Sequence, residues 1–261
     1  MILKFYDFWP LWVTYLFIIS LLFFAAEIGF YSGKARKIKV VDTEAEDKQT
    51  GSIMAASLGL LALLLAFSFN TSTNIHTERK NLVLKEANAI GTLYLRTRLF
   101  DLEQAHELRE ILREYITLRI NMVRDLSNAS LKEKIERSEV LHDRIWTLVT
   151  EISQDMDKTV GTIQLIHAAN EVIDLHSERI NAGLKRIPVV SSFILLFIAL
   201  LTLALMGYQS GLNGARVLIP RTALILSLAT VMIVIVDLDR PGGDLVEISQ
   251  HSIESLQEQL Q

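Results

Sequence analysis

Three long stretches of the chain contain no charged side chain: residues 8–26, 51–69 and 187–210. Each comes close to or exceeds the roughly 20 residues that an α-helix needs to cross a ~30 Å hydrocarbon core. A fourth apolar stretch, residues 222–236, is shorter and covers only about 22 Å as a helix. It can still span if Arg221 extends toward the interface and the bilayer thins locally, and Pro220 suits a first helical turn. The pattern therefore predicts four membrane-spanning helices.

The first apolar stretch also has the position of a cleaved signal peptide. It is longer than the apolar core of an ordinary signal peptide. In addition, Trp9, Trp12 and Tyr15 sit where interfacial aromatic side chains are found in membrane proteins. These features favour a retained transmembrane helix over a removed leader.

The segment between the second and third apolar stretches is water-facing and helical in character. Residues 71–186 interleave acidic and basic side chains and contain no proline. Apolar residues recur there at helical spacing, for example Leu108, Leu112 and Tyr115, and later Ile145 and Leu148. Such stripes must be buried against each other or against another subunit.

The segment is expected to fold back on itself as a hairpin. Ser130 and Glu133 have the spacing of a capping box, which places the turn near residues 127–130. The second membrane helix is expected to run unbroken to about Leu99, and Asp101 marks the next helix start.

The predicted fold is an all-α integral membrane protein with four transmembrane helices and a long extramembrane helical hairpin between the second and third. The expected segments are residues 1–70 (transmembrane helices 1 and 2), 71–186 (extramembrane helical domain), 187–238 (transmembrane helices 3 and 4) and 239–261 (C-terminal tail).

Composition and the motifs that are missing disfavour several classes of function. The chain has no cysteine, so it has no disulfide, thiolate nucleophile or thiolate metal ligand. Its formal net charge is −4 and it has no basic stripe, which argues against a nucleic-acid partner. Phosphate-binding loops, nucleophile elbows and zinc-protease motifs are missing, so an enzyme is disfavoured. His167 and Glu171 lie one helical turn apart, but such pairs are common on solvated helices, and we expect no metal and no cofactor.

Charge alone does not fix the orientation in the membrane. The positive-inside rule places whichever loops are richer in Lys and Arg in the cytoplasm, and here two sets compete. One set follows the first span and the other flanks the helical domain: Lys34, Arg36, Lys37, Lys39 and Lys48 against Arg79, Lys80, Lys85, Arg179, Lys185 and Arg186.

Two parts of the sequence resemble the bestrophin family. The stretch LLAFSFNT at residues 64–71, followed by Glu-Arg-Lys at 78–80, resembles the bestrophin second helix where it leaves the membrane. The stretch DLDRPGGDL at residues 237–245 is similar to the acidic segment after the last bestrophin span. Residues 86–96 (EANAIGTLYLR) together with residues 237–241 look like the signature of an uncharacterised bacterial bestrophin-like family.

The resemblance implies an ion channel. Bestrophins are pentameric channels in which the second helix lines a hydrophobic neck and the helical domain is cytosolic. By this likeness the chain is a homo-oligomer in a bacterial inner membrane, contacts membrane lipid and passes small inorganic ions. The helical domain and both termini are then cytoplasmic, and the basic cluster at residues 34–39 is outside.

The candidate neck lies on one face of the second helix. Gly59, Leu63 and Phe67 recur at i, i+4 and i+8, which is one helical stripe. By the resemblance Leu63 and Phe67 occupy neck positions, with Asn70 near the cytosolic mouth. The alternative is that these side chains face lipid or another helix. The chain departs from bacterial bestrophins at Ser68, where they tend to carry a basic residue, which bears on ion selectivity.

Two further groups are candidate sites. Glu86, Asn88 and Arg96 can form a polar network or line a vestibule, with partners expected on the helix that returns to the membrane: Asn170, Glu171, Asp174 and Arg179. After the last span, Asp237, Asp239 and Asp244 stand in a turn with Pro241 and two glycines. Animal bestrophins hold calcium at a comparable segment, but the dense acidic run is missing here, and we expect a capped turn.

Two functions remain open at this stage. The first is a bestrophin-like ion channel or channel-derived pore. The second is a non-conducting, membrane-anchored helical scaffold or sensor that binds a partner through its helical domain. A pore requires one face of the second helix to be exposed to a lumen, whereas a scaffold does not.

Overall fold

The computed structural model describes residues 9–39, 44–124, 128–156 and 159–260, and the regular structure within them is entirely α-helical. This confirms the predicted all-α class. The helices, in chain order, are α1 (Leu11–Lys39), α2 (Glu44–Thr97), α3 (Glu103–Arg124), α4 (Asn128–Asp155), α5 (Val160–Leu184), α6 (Val189–Asn213), α7 (Leu218–Asp239) and α8 (His251–Leu260).

The chain divides into two compact units. The first, here called the apolar unit, comprises Met1–Ile75 and Arg186–Val246, and the second, the charged unit, comprises His76–Lys185 and Glu247–Gln261. The last helix, α8, therefore belongs to the charged unit and does not form a separate tail. Ile253 on α8 is fully buried in that unit's core, which explains why the end of the chain packs there.

Four helical regions are long and apolar enough to cross a membrane: Leu11–Ile38, Glu46–Thr97, Val160–Asn213 and Leu218–Asp239. They contain the predicted apolar stretches 51–69, 187–210 and 222–236, and residues 11–26 of the first stretch. The last is longer than its apolar stretch because α7 extends past it at both ends. Its 22 residues correspond to about 33 Å of helix. The whole of α7 is therefore long enough to cross a ~30 Å hydrocarbon core, although its uncharged stretch is shorter.

In the apolar unit, α1 and α6 approach each other at glycine positions. A Cβ atom on Gly29 would lie 1.9 Å from the Ala204 carbonyl oxygen, and one on Gly207 would lie 2.0 Å from that of Ala26. Gly33 and Gly211 are equally restricted, so each helix presents a Gly-x-x-x-Gly pair to the other. Small residues allow this close backbone packing, which takes the place of a hydrophobic driving force inside a membrane.

The charged unit has its own apolar core, made by the end of α2 with α3, α4, α5 and α8. The predicted stripes are buried in it, with Leu108, Leu112, Tyr115, Ile145 and Leu148 all without exposed surface. The helices α3 and α4 pack against each other. Part of the turn predicted at residues 127–130 lies outside the described residues. Since α5 and α8 complete the core, the unit is more than a two-helix hairpin.

Candidate functional site

All four predicted neck residues lie on an exposed side of α2. Leu63 is 52% exposed and Phe67 is 61% exposed. A Cβ atom on Gly59 would meet nothing within 4 Å, and Asn70 is exposed. The opposite side of the helix carries Leu61 and Leu65, which are buried in the core of the apolar unit. In a single chain, the candidate neck is therefore free to meet a lumen, lipid or another subunit.

The chemistry of this face changes at the end of the apolar stretch. Beyond Phe67 the exposed positions on this face become polar, namely Asn70, Thr71 and Asn74, and the two asparagines lie one helical turn apart. Neither carboxamide has a hydrogen-bond partner in the described part of the chain. By contrast, the nearby hydroxyl of Thr71 donates to the Phe67 carbonyl oxygen (2.9 Å) and that of Ser72 to the Ile235 carbonyl oxygen (3.4 Å). The amides thus keep their donors and acceptors for water or ions, whereas each hydroxyl uses its single donor on a backbone carbonyl.

The charged unit holds a buried ionic network centred on Glu86. Glu86 is fully buried, and Arg119 on α3 is 1% exposed. The Arg119 Nε atom lies 2.8 Å from Oε1 of Glu86, and its Nη2 donates to Oε2 at 3.2 Å. Arg179 on α5 also donates to Oε2, and the Tyr115 hydroxyl donates to Oε1 at 2.8 Å. One carboxylate thereby joins three helices.

Burial and the neighbouring charges shift the pKa of the Glu86 carboxyl group in opposite directions. Burial by itself raises the pKa of Glu86, but the charges of Arg119 and Arg179 and the hydrogen bonds outweigh burial and leave the pKa below its usual value of 4.5. Burial, and next the Glu86 charge, raise the pKa of Tyr115 well above 10. The network therefore consists of an ionised Glu86, two guanidinium cations and a neutral phenol.

Two histidines complete the network. The Tyr115 hydroxyl lies 3.2 Å from Nδ1 of His176, and the rings of His142 and His176 meet edge to face with centroids 4.5 Å apart. Burial, followed by the charge of Arg119, lowers the pKa of His142 to about 4 and that of His176 to about 3. Both rings are consequently neutral at physiological pH, and Nε2 of His142 is buried without a hydrogen-bond partner.

These histidines predict that the charged unit loses stability in acid. In the unfolded chain they take up protons below pH ~6.5, whereas in the folded unit they do so only near pH 4 and 3. Stability is therefore highest above pH ~6.5 and declines as the pH falls, by on the order of 2 kcal/mol per histidine at pH 5. Unfolding midpoints measured between pH 5 and 7.5 test this.

Substitutions assign the effect to these rings. His176→Asn should flatten the decline below pH 6.5, whereas His167→Asn should leave it unchanged, because His167 is exposed. An equally steep decline in His176→Asn would show that the acid sensitivity arises elsewhere.

The structure brings together only part of the predicted polar network. Glu86 and Arg179 meet, whereas Arg96 donates to the Gln164 carbonyl oxygen at 2.6 Å. The other predicted members are exposed and lie outside the buried network: Asn88, Asn170, Glu171 and Asp174.

Sequence analysis missed four members of the network: Tyr115, Arg119, His142 and His176. Tyr115 was treated as part of an apolar stripe. The available signal was that Arg119 lies four residues after Tyr115 and His142 three before Ile145, so both are polar residues at stripe positions.

The acidic turn after α7 is organised by backbone donors. The two oxygens of the fully buried Asp237 carboxylate accept N–H groups of Asp244 (2.6 Å), Leu245 (3.1 Å) and Val246 (2.9 Å). Asp239 accepts the Ile187 N–H at 2.7 Å. These bonds use the carboxylate oxygens that a cation would need. Across the part of the chain that the structure describes, no group of three His, Cys, Asp or Glu side chains is placed to hold a metal.

The third acidic residue differs from the other two. Asp244 is exposed and pairs with Arg240, whose Nη1 lies 3.2 Å from Oδ2. Nearby, a Cβ atom on Gly243 would lie 2.5 Å from the Val246 carbonyl oxygen, so the turn requires glycine there. The predicted residues thus form a tight connection after α7, with two carboxylates inside and one at the surface.

Comparison with known proteins supplies the family. A model of the Bestrophin-like domain matches residues 21–253. Crystal structures of two single-residue variants of a bacterial bestrophin homologue from Klebsiella pneumoniae share the fold, each with a TM-score of 0.66. Sequence identity is 13% and 14%, over 95% and 97% of this chain and 97% of each of those chains. No curated protein matches the chain significantly. The family match covers most of the sequence, and the chain belongs to the Bestrophin-like family.

Proposed function

We propose that this protein is a homo-oligomeric membrane channel for small inorganic ions, with α2 as the lining of its neck. The proposed role is passage of ions and not catalysis. The family and the shared fold support it, since bestrophins are ion channels. The observation that carries the proposal is the exposed face of α2, on which Leu63 and Phe67 precede the free amides of Asn70 and Asn74.

This face has the chemistry of a gated constriction. A hydrophobic ring gates a pore by dewetting and needs no charge, and Leu63 and Phe67 on several copies of α2 would form such a ring. Exposed amides just beyond it give a hydrated mouth that carries no net charge.

The proposal includes assembly and topology. A pentamer, as in bestrophins, would surround the neck with five α2 helices, and four spans would place the charged unit and both termini in the cytoplasm of a bacterium with the protein in its inner membrane. Reporter domains fused near Asn213 and after Gln261 test this topology. A C-terminal reporter outside the cell would contradict it.

The neck assignment predicts the effect of shortening Phe67. Phe67→Ala should raise ion flux through reconstituted protein several-fold, because a wider constriction wets more readily. The matched control is Phe197→Ala on α6, which removes an equally large side chain that is 60% exposed. Flux into liposomes, with oligomer size checked on the same samples, distinguishes them. Equal effects of both substitutions on the flux would contradict the assignment of Phe67 to the neck.

A further inference from the structure

A separate charged cluster lies at one end of the apolar unit. Arg221 on α7 donates through Nη2 to Oε1 of Glu27 on α1 at 2.5 Å. Arg216, in the connection between α6 and α7, places its Nη2 3.5 Å from Oε2 of Glu27 and 3.2 Å from the Tyr31 hydroxyl. Its guanidinium also lies over the Phe30 ring, 4.5 Å from the centroid. Two parts of the chain that are distant in sequence, α1 and residues 216–221, therefore form one cluster.

The cluster lies at the boundary between apolar and polar sequence. Glu27 directly follows the uncharged stretch 8–26, and Arg221 directly precedes the uncharged stretch 222–236. Between the two arginines, Val217, Leu218 and Ile219 are 52%, 51% and 84% exposed. Exposed apolar side chains beside a guanidinium pair are what a phospholipid headgroup region contacts, with acyl chains on one side and phosphates on the other.

The cluster carries more positive than negative charge. One carboxylate faces two guanidinium groups, and in residues 9–39, 44–124, 128–156 and 159–260 no other carboxylate forms an ion pair with either arginine. The Arg221 side chain is only 8% exposed, and its Nε is buried without a hydrogen-bond partner. Arg221 therefore adds positive charge to the cluster but little accessible surface. The Arg216 side chain is 44% exposed, and its hydrogen bonds to Glu27 and Tyr31 both use Nη2. The half-exposed guanidinium group of Arg216, held beside Glu27, Tyr31 and Phe30, therefore presents positive charge and open donors to an anion at this boundary.

We propose that Arg216 and Tyr31, with the buried charge of Arg221 behind them, bind one phosphate group, that of an anionic phospholipid at this membrane surface. A guanidinium group can donate to two phosphate oxygens at once, and stacking on Phe30 holds the guanidinium group of Arg216 in place. Basic pockets between membrane helices bind phospholipid headgroups in this way. Free phosphate shares the chemistry, but the adjoining apolar surface favours the lipid. The site does not depend on ion conduction by the protein.

The test uses the full-length, delipidated protein in non-ionic detergent, with the thermal unfolding midpoint as readout. The probes are short-chain phosphatidylglycerol, short-chain phosphatidylcholine and inorganic phosphate. The variant is Arg216→Gln, because Arg216 is 44% exposed and its loss leaves the buried Arg221–Glu27 pair intact. The control is Arg36→Gln, which removes one charge from an arginine on α1 that is 51% exposed.

Phosphatidylglycerol should raise the midpoint of wild type and Arg36→Gln saturably, with phosphatidylcholine weaker. Its apparent affinity for Arg216→Gln should be about tenfold lower, which is the contribution of one strong charged hydrogen bond. An equal shift by inorganic phosphate that competes with the lipid would keep the phosphate site and make its ligand the free ion. Arg216→Gln responding like wild type, or Arg36→Gln losing as much affinity, would overturn the proposal.

Discussion

Replacing Glu86 with glutamine is expected to destabilise the charged unit by about 3–5 kcal/mol. Glutamine keeps the shape of the side chain but removes the negative charge that faces Arg119 and Arg179. Arg119 is 1% exposed, so its charge would remain buried and uncompensated. Most of this loss of stability comes from the buried, uncompensated charge of Arg119, and less comes from the lost hydrogen bonds. Denaturant unfolding of the full-length protein, followed by helix content, measures it.

Two further variants test the cause. Glu78→Gln removes a carboxylate that pairs with Lys185 at 2.7 Å, but both side chains are about half exposed, so the loss should stay below about 1 kcal/mol. Glu86→Leu combined with Arg119→Leu removes the buried carboxylate and the more deeply buried cation, and leaves only Arg179, which is 11% exposed and also donates to Gln250 at 2.8 Å. The double variant should therefore be less destabilising than Glu86→Gln alone. A Glu86→Gln variant as mildly affected as Glu78→Gln would mean that the network does not hold the three helices together.

Adding a single methyl group at Gly29 is expected to disrupt the packing of α1 on α6. The Cβ of Gly29→Ala would lie 1.9 Å from the Ala204 carbonyl oxygen, and backbone cannot turn aside as a side chain can. The helices must separate, and neighbouring contacts at Gly33 and Gly207 loosen with them. We expect a loss of about 3 kcal/mol, at the upper end of overpacking effects. Unfolding of the purified protein in detergent measures it.

Gly59→Ala is the matched control for that substitution. Gly59 also lies inside an apolar helix long enough to cross a membrane, but within one chain a Cβ there would meet nothing within 4 Å. Alanine should leave the stability unchanged or raise it by up to about 1 kcal/mol, since it is the better helix former. If Gly29→Ala were as stable as Gly59→Ala, the close approach of α1 and α6 would not contribute to the fold.

The pattern of apolar and charged stretches was sufficient to predict the helical class and the unbroken α2. The length of an apolar stretch and the amphipathic spacing of residues are local properties of the sequence. They can be recognised without knowing which helices pack against each other. The packing of α8 into the charged unit was not predicted, because it depends on the match between Ile253 and a core made by distant helices. The Gly-x-x-x-Gly pairs at 29–33 and 207–211 were visible in the sequence, but only the structure shows that they face each other.

The ionic network shows the same limit at the level of single residues. Glu86 was singled out together with Asn88 and Arg96, and Arg179 was expected as a possible partner on the helix that returns to the membrane. Arg119 and His142 could not be separated from ordinary surface charges, since their burial depends on how α3 and α4 rotate about their axes. A polar residue at an apolar stripe position was the only local signal. The candidate neck residues, by contrast, were identified by a resemblance, and the structure adds that they are exposed.

The most direct test of ion passage along α2 is the block of flux through a single introduced cysteine. The chain contains no cysteine, so Asn70→Cys provides a unique thiol. Ser191→Cys, at an exposed polar position near the start of α6, is the control. In reconstituted liposomes, we predict that wild type conducts and that a charged, membrane-impermeant thiol reagent blocks Asn70→Cys but neither wild type nor Ser191→Cys. Absence of flux from intact wild-type oligomers, or flux through Asn70→Cys that the reagent modifies without blocking, would contradict the channel and favour the non-conducting scaffold or a different path.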